Sequence, residues 1–232
     1  MSYVKTIVCL ANSYKPPSGR CIAGKEINKK GDGGGWIRPV SARPTAEVSF
    51  TEYRYENWQS PQLLDIVDVP LLKSVPHGHQ TENHIIDAKQ LWVRKGVVAW
   101  EDLEQFRDRP ESIWINSAHT AQGHYDCMSQ AEAATLDHSL LLIKKANFTV
   151  EVGTSPFNGK RIYRGKFNYK GIHHNFSITD PLVRDRFASK EEGDYALKDV
   201  YLCLSLTEPF EKDGRCHKLV AAIISNQGLW TQ

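Results

Sequence analysis

No Cys-x-x-Cys pair occurs in this 232-residue chain, and its five cysteines (Cys9, Cys21, Cys127, Cys203 and Cys216) are odd in number and irregularly spaced. A zinc ribbon and a redox dithiol are therefore excluded, and reduced, mostly buried thiols in a cytoplasmic protein are expected. Long apolar runs are lacking as well. None approaches the ~18 residues that cross a bilayer, and the short apolar stretch at the N-terminus, interrupted by Lys5, has no signal-peptide layout. Nor does one sign of charge dominate. Twenty-nine basic residues against 27 acidic ones give +2, so any electrostatic binding must come from a local patch rather than a basic arm. Internal repeats and low-complexity tracts are absent. What is present, 41% hydrophobic and 10% aromatic residues, is enough for a sizeable core in one large domain or two smaller ones.

The second half carries the clearer pattern. Leu140 to Val152 alternates apolar and mixed positions as one long bent strand. A turn with Asn158-Gly159 leads to a strand over 161–169, with Tyr163, Phe167 and Tyr169 on one face. A tight reversal at Lys170-Gly171 starts a third strand, where Ile172, Phe176 and Ile178 share a side. Asp180-Pro181 then supplies an N-cap and a first-turn proline, with Leu182, Val183 and Phe187 placed to dock the helix. Strands over about 199–207 and 217–225 complete the series. Three strands, a helix and two strands is the order of the OB-fold, a five-stranded Greek-key barrel. Ser129-Gln130-Ala131-Glu132 is a capping box, and a domain boundary is placed beside it, giving units 1–128 and 129–232.

The first half is less regular. Strands are expected over 4–11, around Trp36-Ile37-Arg38, and over 63–72, where Pro70 indicates an edge or a bulge. Gly31 to Gly35 reads as a loop, 100–106 as a short amphipathic helix, and Ile113-Trp114-Ile115 as a strand closing the sheet. Periodicity alone does not assign this half a barrel. The segments KTIVCLANSYKPPSGRCIAGKEI, GGWIRPVS, RGKFNYKGIHHNFSITDP and VYLCLSLTEPF, however, resemble the prokaryotic dual OB-containing domain family over essentially the whole chain. Pro16-Pro17-Ser18 departs from the glycine-richer loop expected there. The resemblance implies a mainly β chain with short helices, built as two OB-like Greek-key barrels, and a nucleic-acid-binding or sensing module of bacterial conflict or antiphage systems. It carries no set of catalytic residues.

Two candidate surfaces follow from the residues. In the first half, Asn12, Ser13, Lys15, Arg20 and Lys25 crowd a Pro/Gly-shaped loop suited to a phosphate, although Walker A spacing is lacking. Trp36 can stack a base and Arg38 meet a phosphate. The alternative is that Trp36 fills the core while Arg38 pairs with a carboxylate such as Glu26. In the second half, Arg164, Lys166, Asn168, His173, Asn175 and Ser177 share the outer face of strands two and three, where OB-folds bind oligonucleotides.

Metal binding is not expected, because His77, His79 and His84 match no zinc pattern and His173 and His174 diverge on a strand. A Cys127–histidine nucleophile, and acid pairs from Asp65 with Asp68 or Glu101 with Asp102, read as ordinary structural residues. The expected activity is non-enzymatic binding of single-stranded DNA or RNA, without cofactor or membrane. A small-nucleotide sensor and an adaptor for an effector protein are the alternatives.

Overall fold

A computed structural model describes residues 2–15, 18–28 and 33–226. Pro16 and Pro17, and Gly31 and Asp32 of the glycine run, lie outside the described residues. The chain divides into two compact units, Met1–Arg107 and Asp108–Gln232.

The first unit contains β1 (Tyr3–Lys15), β2 (Gly19–Ile27), β3 (Gly33–Val40), β4 (Asp65–Ser74), β5 (Asn83–Ile86) and β6 (Val93–Val97). Its strands run β1-β2-β3-β5-β4, and β4 returns to β1, so the sheet closes. The β3–β5 contact is parallel and matches Arg38, Pro39 and Val40 with Asn83, His84 and Ile85. Ile7, Ile22, Ile37, Val67 and Val69 fill the interior with Trp92.

Several first-half expectations change here. The segment after Asn12 is a β-hairpin rather than the expected loop, with β1 running on to Lys15 and pairing with strand β2. Gly19 and Gly24 conceal that strand by breaking its alternation, yet an added Cβ at Gly24 would collide with the Val8 carbonyl. Gly33 to Gly35 belong to β3. Pro70 sits beside a register shift between Leu71 and Lys73, the bulge its ring demands. The helix over 100–106 is 3₁₀ and buries Leu103 and Phe106.

The second unit holds β7 (Cys127–Ser129), α1 (Gln130–Ala133), β8 (Leu140–Thr154), β9 (Arg161–Tyr169), β10 (Ile172–Ile178), α2 (Pro181–Phe187), β11 (Gly193–Pro209) and β12 (Arg215–Ser225). The order β10-β9-β8-β11-β12 closes through a parallel β10–β12 contact. Both units are therefore OB-type barrels. Lys170 (φ 47°) and Gly171 (φ 85°) make the tight β9–β10 turn, as the paired positive φ values of a type I′ hairpin require. Asp180 caps α2 by accepting from the Leu182 amide at 2.9 Å, and its other oxygen accepts from the Ile223 amide at 3.0 Å. Val183 and Phe187 dock the helix, whereas Leu182 is exposed.

The unit boundary falls at 107/108 rather than 128/129, because residues 108–128 belong to the second core. Ile113, Trp114 and Met128 are buried in it. Ile113 to Ile115 form no strand, since Trp114 adopts φ 52° instead of an extended conformation. Lys218, itself buried, donates to the Ile113 carbonyl at 3.0 Å and to Asn116 Oδ1 at 2.8 Å. Further along, the segment 124–129 fills the space where β10 and β12 splay apart. His124 exchanges backbone hydrogen bonds with Asn175 of β10, while β7 and the Asp126 carbonyl pair with β12.

His173 points outward and His174 inward, as alternation requires. The His174 ring is fully buried between Phe167 and Phe176, with both centroids 5.2 Å away. Burial first, and then the charges of Lys218, His124, His173 and Lys145, push its pKa down from 6.5 to about 3. Between those values the unfolded chain binds the proton and the folded chain does not. The stability is thus complete above about pH 6.5 and is lost as pH falls toward 3. Urea denaturation across this window should show His174→Phe losing on the order of a few kcal/mol less than the parent. Equal losses would mean the imidazole titrates alike in both states.

Candidate functional site

The cationic residues expected to form one loop site in the first barrel do not converge. Asn12 donates from Nδ2 to the Pro61 carbonyl at 2.9 Å, and buried Ser13 lies 3.5 Å from the Cys21 carbonyl. Lys15 stands opposite Gly19, and Arg20 opposite Tyr14, so the two side chains leave opposite faces of the hairpin. Lys25 is five positions beyond Arg20, again on the other face and about 16 Å along the strand. Lys25, Trp36 and Arg38 do share a face. The Lys25 ammonium sits 5.3 Å above the Trp36 ring, and buried Arg38 reaches Glu82 Oε1 at 3.3 Å. Glu26, the carboxylate named as a candidate partner for Arg38, instead holds Lys5 at 2.8 Å.

The second barrel's strand face is also committed. Arg164 is buried rather than surface-exposed. Its guanidinium donates to Asp126 Oδ2 at 2.9 Å, to the side chain and carbonyl of Asn175 at 2.8 and 2.7 Å, and to Ser177 Oγ at 3.0 Å. Lys166 lies 2.9 Å from Asp194 and 3.1 Å from Glu151. His173 is exposed, and its carbonyl lies 2.9 Å from His124 Nδ1. A cleft of about 640 Å³ opens here, with Glu192 on its wall beside these carboxylates, so it presents a poor surface to a phosphate. The acids come from neighbouring strands and from the segment before the barrel, which strand-by-strand reading does not connect.

Among the described residues, no group of three or more His, Cys, Asp or Glu side chains is disposed to hold a metal. His84 Nδ1 and the Tyr3 hydroxyl are 2.5 Å apart. Burial pushes the Cys127 thiol up, which disfavours the thiolate a nucleophile needs. No helix among the described residues is long and apolar enough to cross a membrane.

A surface that combines exposed aromatic rings with cations lies elsewhere in the first barrel, on the β3–β4 connection and β6. Tyr55 to Trp58 form a turn in which the Trp58 amide donates to the Tyr55 carbonyl at 3.2 Å and the Gln59 amide to Asn57 Oδ1 at 3.1 Å. The turn leaves Trp58 at φ 62°, a left-handed conformation that costs a bulky side chain roughly 1–3 kcal/mol. Trp58 is nevertheless 63% exposed, and the Arg54 guanidinium carbon lies 3.8 Å from its ring centroid. Phe50, 43% exposed, lines the same cleft of about 600 Å³ together with Gln62, Val97 and Arg94.

Beneath the cleft lies Asp65, buried at the start of β4. It accepts from the Tyr55 hydroxyl at 2.9 Å, from the Gln62 amide at 3.0 Å and from Arg94 Nε at 2.7 Å. Burial and then the Asp65 carboxylate push the Tyr55 phenol well up, so it remains a donor. Burial, reinforced by the same carboxylate, raises the Cys9 thiol to about 12. Arg94 is thereby fixed through one nitrogen while its side chain stays 51% exposed. Sequence reading missed Phe50, Arg54, Trp58 and Arg94. The available signal was a lone tryptophan within the polar run Glu56-Asn57-Trp58-Gln59-Ser60.

Asp65→Ala should lower folding stability by ~2 kcal/mol in urea denaturation, because the Tyr55 hydroxyl and Gln62 amide lose their acceptor. A change below ~0.5 kcal/mol would show that water replaces the carboxylate.

In comparisons with known proteins, the family model of the Dual OB-containing domain matches residues 5–223. A murine DNA-binding protein, solved with double-stranded DNA, is similar over 97% of this chain and 99% of its own. At 7% identity and a TM-score of 0.33, that likeness carries no argument. A search of the curated proteins finds no match.

Proposed function

The chain belongs to the Dual OB-containing domain family, and from that premise we propose that it is a non-enzymatic module that binds single-stranded nucleic acid through its first barrel. One observation carries the reading. An exposed tryptophan with a guanidinium stacked at 3.8 Å stands beside a second exposed aromatic and a half-exposed arginine, on the flank of an OB barrel.

A tryptophan face accepts any unpaired base, and each stacked base contributes ~1–3 kcal/mol. Stacking of this kind favours single strands, whose bases are open, over duplexes. Arg54 and Arg94 supply charge for the backbone. The second barrel acts as scaffold, since Arg164 and Lys166 are held by carboxylates. Binding without chemistry agrees with the commitment of Asp65 to three donors and with thiols held protonated at Cys9 and Cys127. Five free cysteines suit a reducing cytoplasm, and the family resemblance supports a role in bacterial defence.

Fluorescence-anisotropy titration of single-stranded DNA and RNA against salt tests the proposal. With two phosphate contacts, log K should fall by about 1.4 per unit of log[salt]. Trp58→Gly should weaken binding roughly tenfold or more while folding stability stays within ~1 kcal/mol, relief of the backbone offsetting the lost stack. Tight binding that is insensitive to both salt and Trp58→Gly would overturn this assignment.

A further inference from the structure

A second cleft, of about 550 Å³, adjoins the first and is lined by Asn57, Leu91, Trp92 and Val93. The two clefts share Tyr55, Gln59 and Arg94. We propose that they hold two successive unpaired nucleotides of one strand, with Arg94 on the phosphodiester between them. This rests on the nucleic-acid reading above and adds to it a footprint and a role for one residue.

Each cleft has a volume suited to a base with its sugar. The first offers Trp58 and Phe50 as π faces. The second offers the apolar side chains of Leu91 and Val93. Side-chain amides of Asn57, Gln59 and Gln62 supply donors and acceptors for base edges, a polar lining that an apolar helix would leave unsatisfied. Arg94 is the one cation common to both linings. Its Nε is fixed on buried Asp65, so the guanidinium is oriented before ligand arrives and its exposed side carries the positive charge between the clefts. Of the two carboxylates in the linings, Asp65 is occupied by its three donors. Glu56 lies exposed in the second cleft, which disfavours a phosphate deeper there and leaves the shared arginine as its place.

The test is an NMR titration of the whole chain with dithymidine phosphodiester and with its uncharged methylphosphonate analogue. The phosphodiester should bind about tenfold more tightly, as a charge-assisted contact requires. Arg94→Gln should abolish that preference and leave the analogue's affinity within about twofold, while Arg94→Lys should retain part of it. If both compounds bind equally, or if Arg94→Gln weakens both alike, Arg94 does not hold the linkage. Should longer single strands bind while neither Arg94→Gln nor Trp58→Gly weakens them, the two-nucleotide footprint is wrong although the module still binds nucleic acid. If no strand of any length binds, the functional reading itself fails. A protein fragment competing for the same NMR shifts, with no oligonucleotide doing so, would overturn both.

Discussion

A five-stranded sheet that returns to its first strand has to be joined by one parallel contact, and in both units that contact decides what the remaining residues can do. Closed by the β3–β5 and β10–β12 pairings, each interior is filled by side chains. Inward positions are then largely apolar, and the buried Lys218 among them needs the Ile113 carbonyl and Asn116 Oδ1 as acceptors. This is why His174 is held uncharged among phenylalanines and why the aromatic series of β9 contributes to the core rather than to a stacking platform. Binding is left to the outer faces, where each cation meets whatever the neighbouring strand presents.

On those faces, cations differ by the company they keep. Arg38, Arg164 and Lys166 each have a carboxylate within 3.3 Å and stabilise the fold. Arg94 also has one, but Asp65 is buried and engages only Nε, so the carboxylate orients the guanidinium instead of covering it. The other Asp65 oxygen, Oδ2, accepts from both the Tyr55 hydroxyl and the Gln62 amide, tying the turn that carries Trp58 to the barrel wall. A single buried acid therefore couples the stability of the turn to the orientation of the cation beside it.

The second barrel was legible almost element by element, because its strands alternate with period two and its helix begins with Asp180-Pro181. β2 was hidden by Gly19 and Gly24, whose lack of side chains removes the alternation and also permits close strand contact. The site was less legible than the fold. Whether a lysine or arginine is available depends on partners distant in sequence, as with Arg38 and Glu82 or Arg164 and Asp126. Trp58 carried no periodic signal, since its exposure follows from a turn with left-handed backbone rather than from a place on a strand.

The segment 124–129 has a consequence for anyone dissecting this chain. Cut at residue 129, the downstream polypeptide would retain every strand of its ring and the helix, and would look complete on a topology diagram. It would nevertheless have an unsealed seam between β10 and β12, and the Arg164 cation would be stranded without its counter-ion. The compact unit begins at Asp108, and any transplant of this barrel into another protein has to carry that leading stretch as its own built-in gasket.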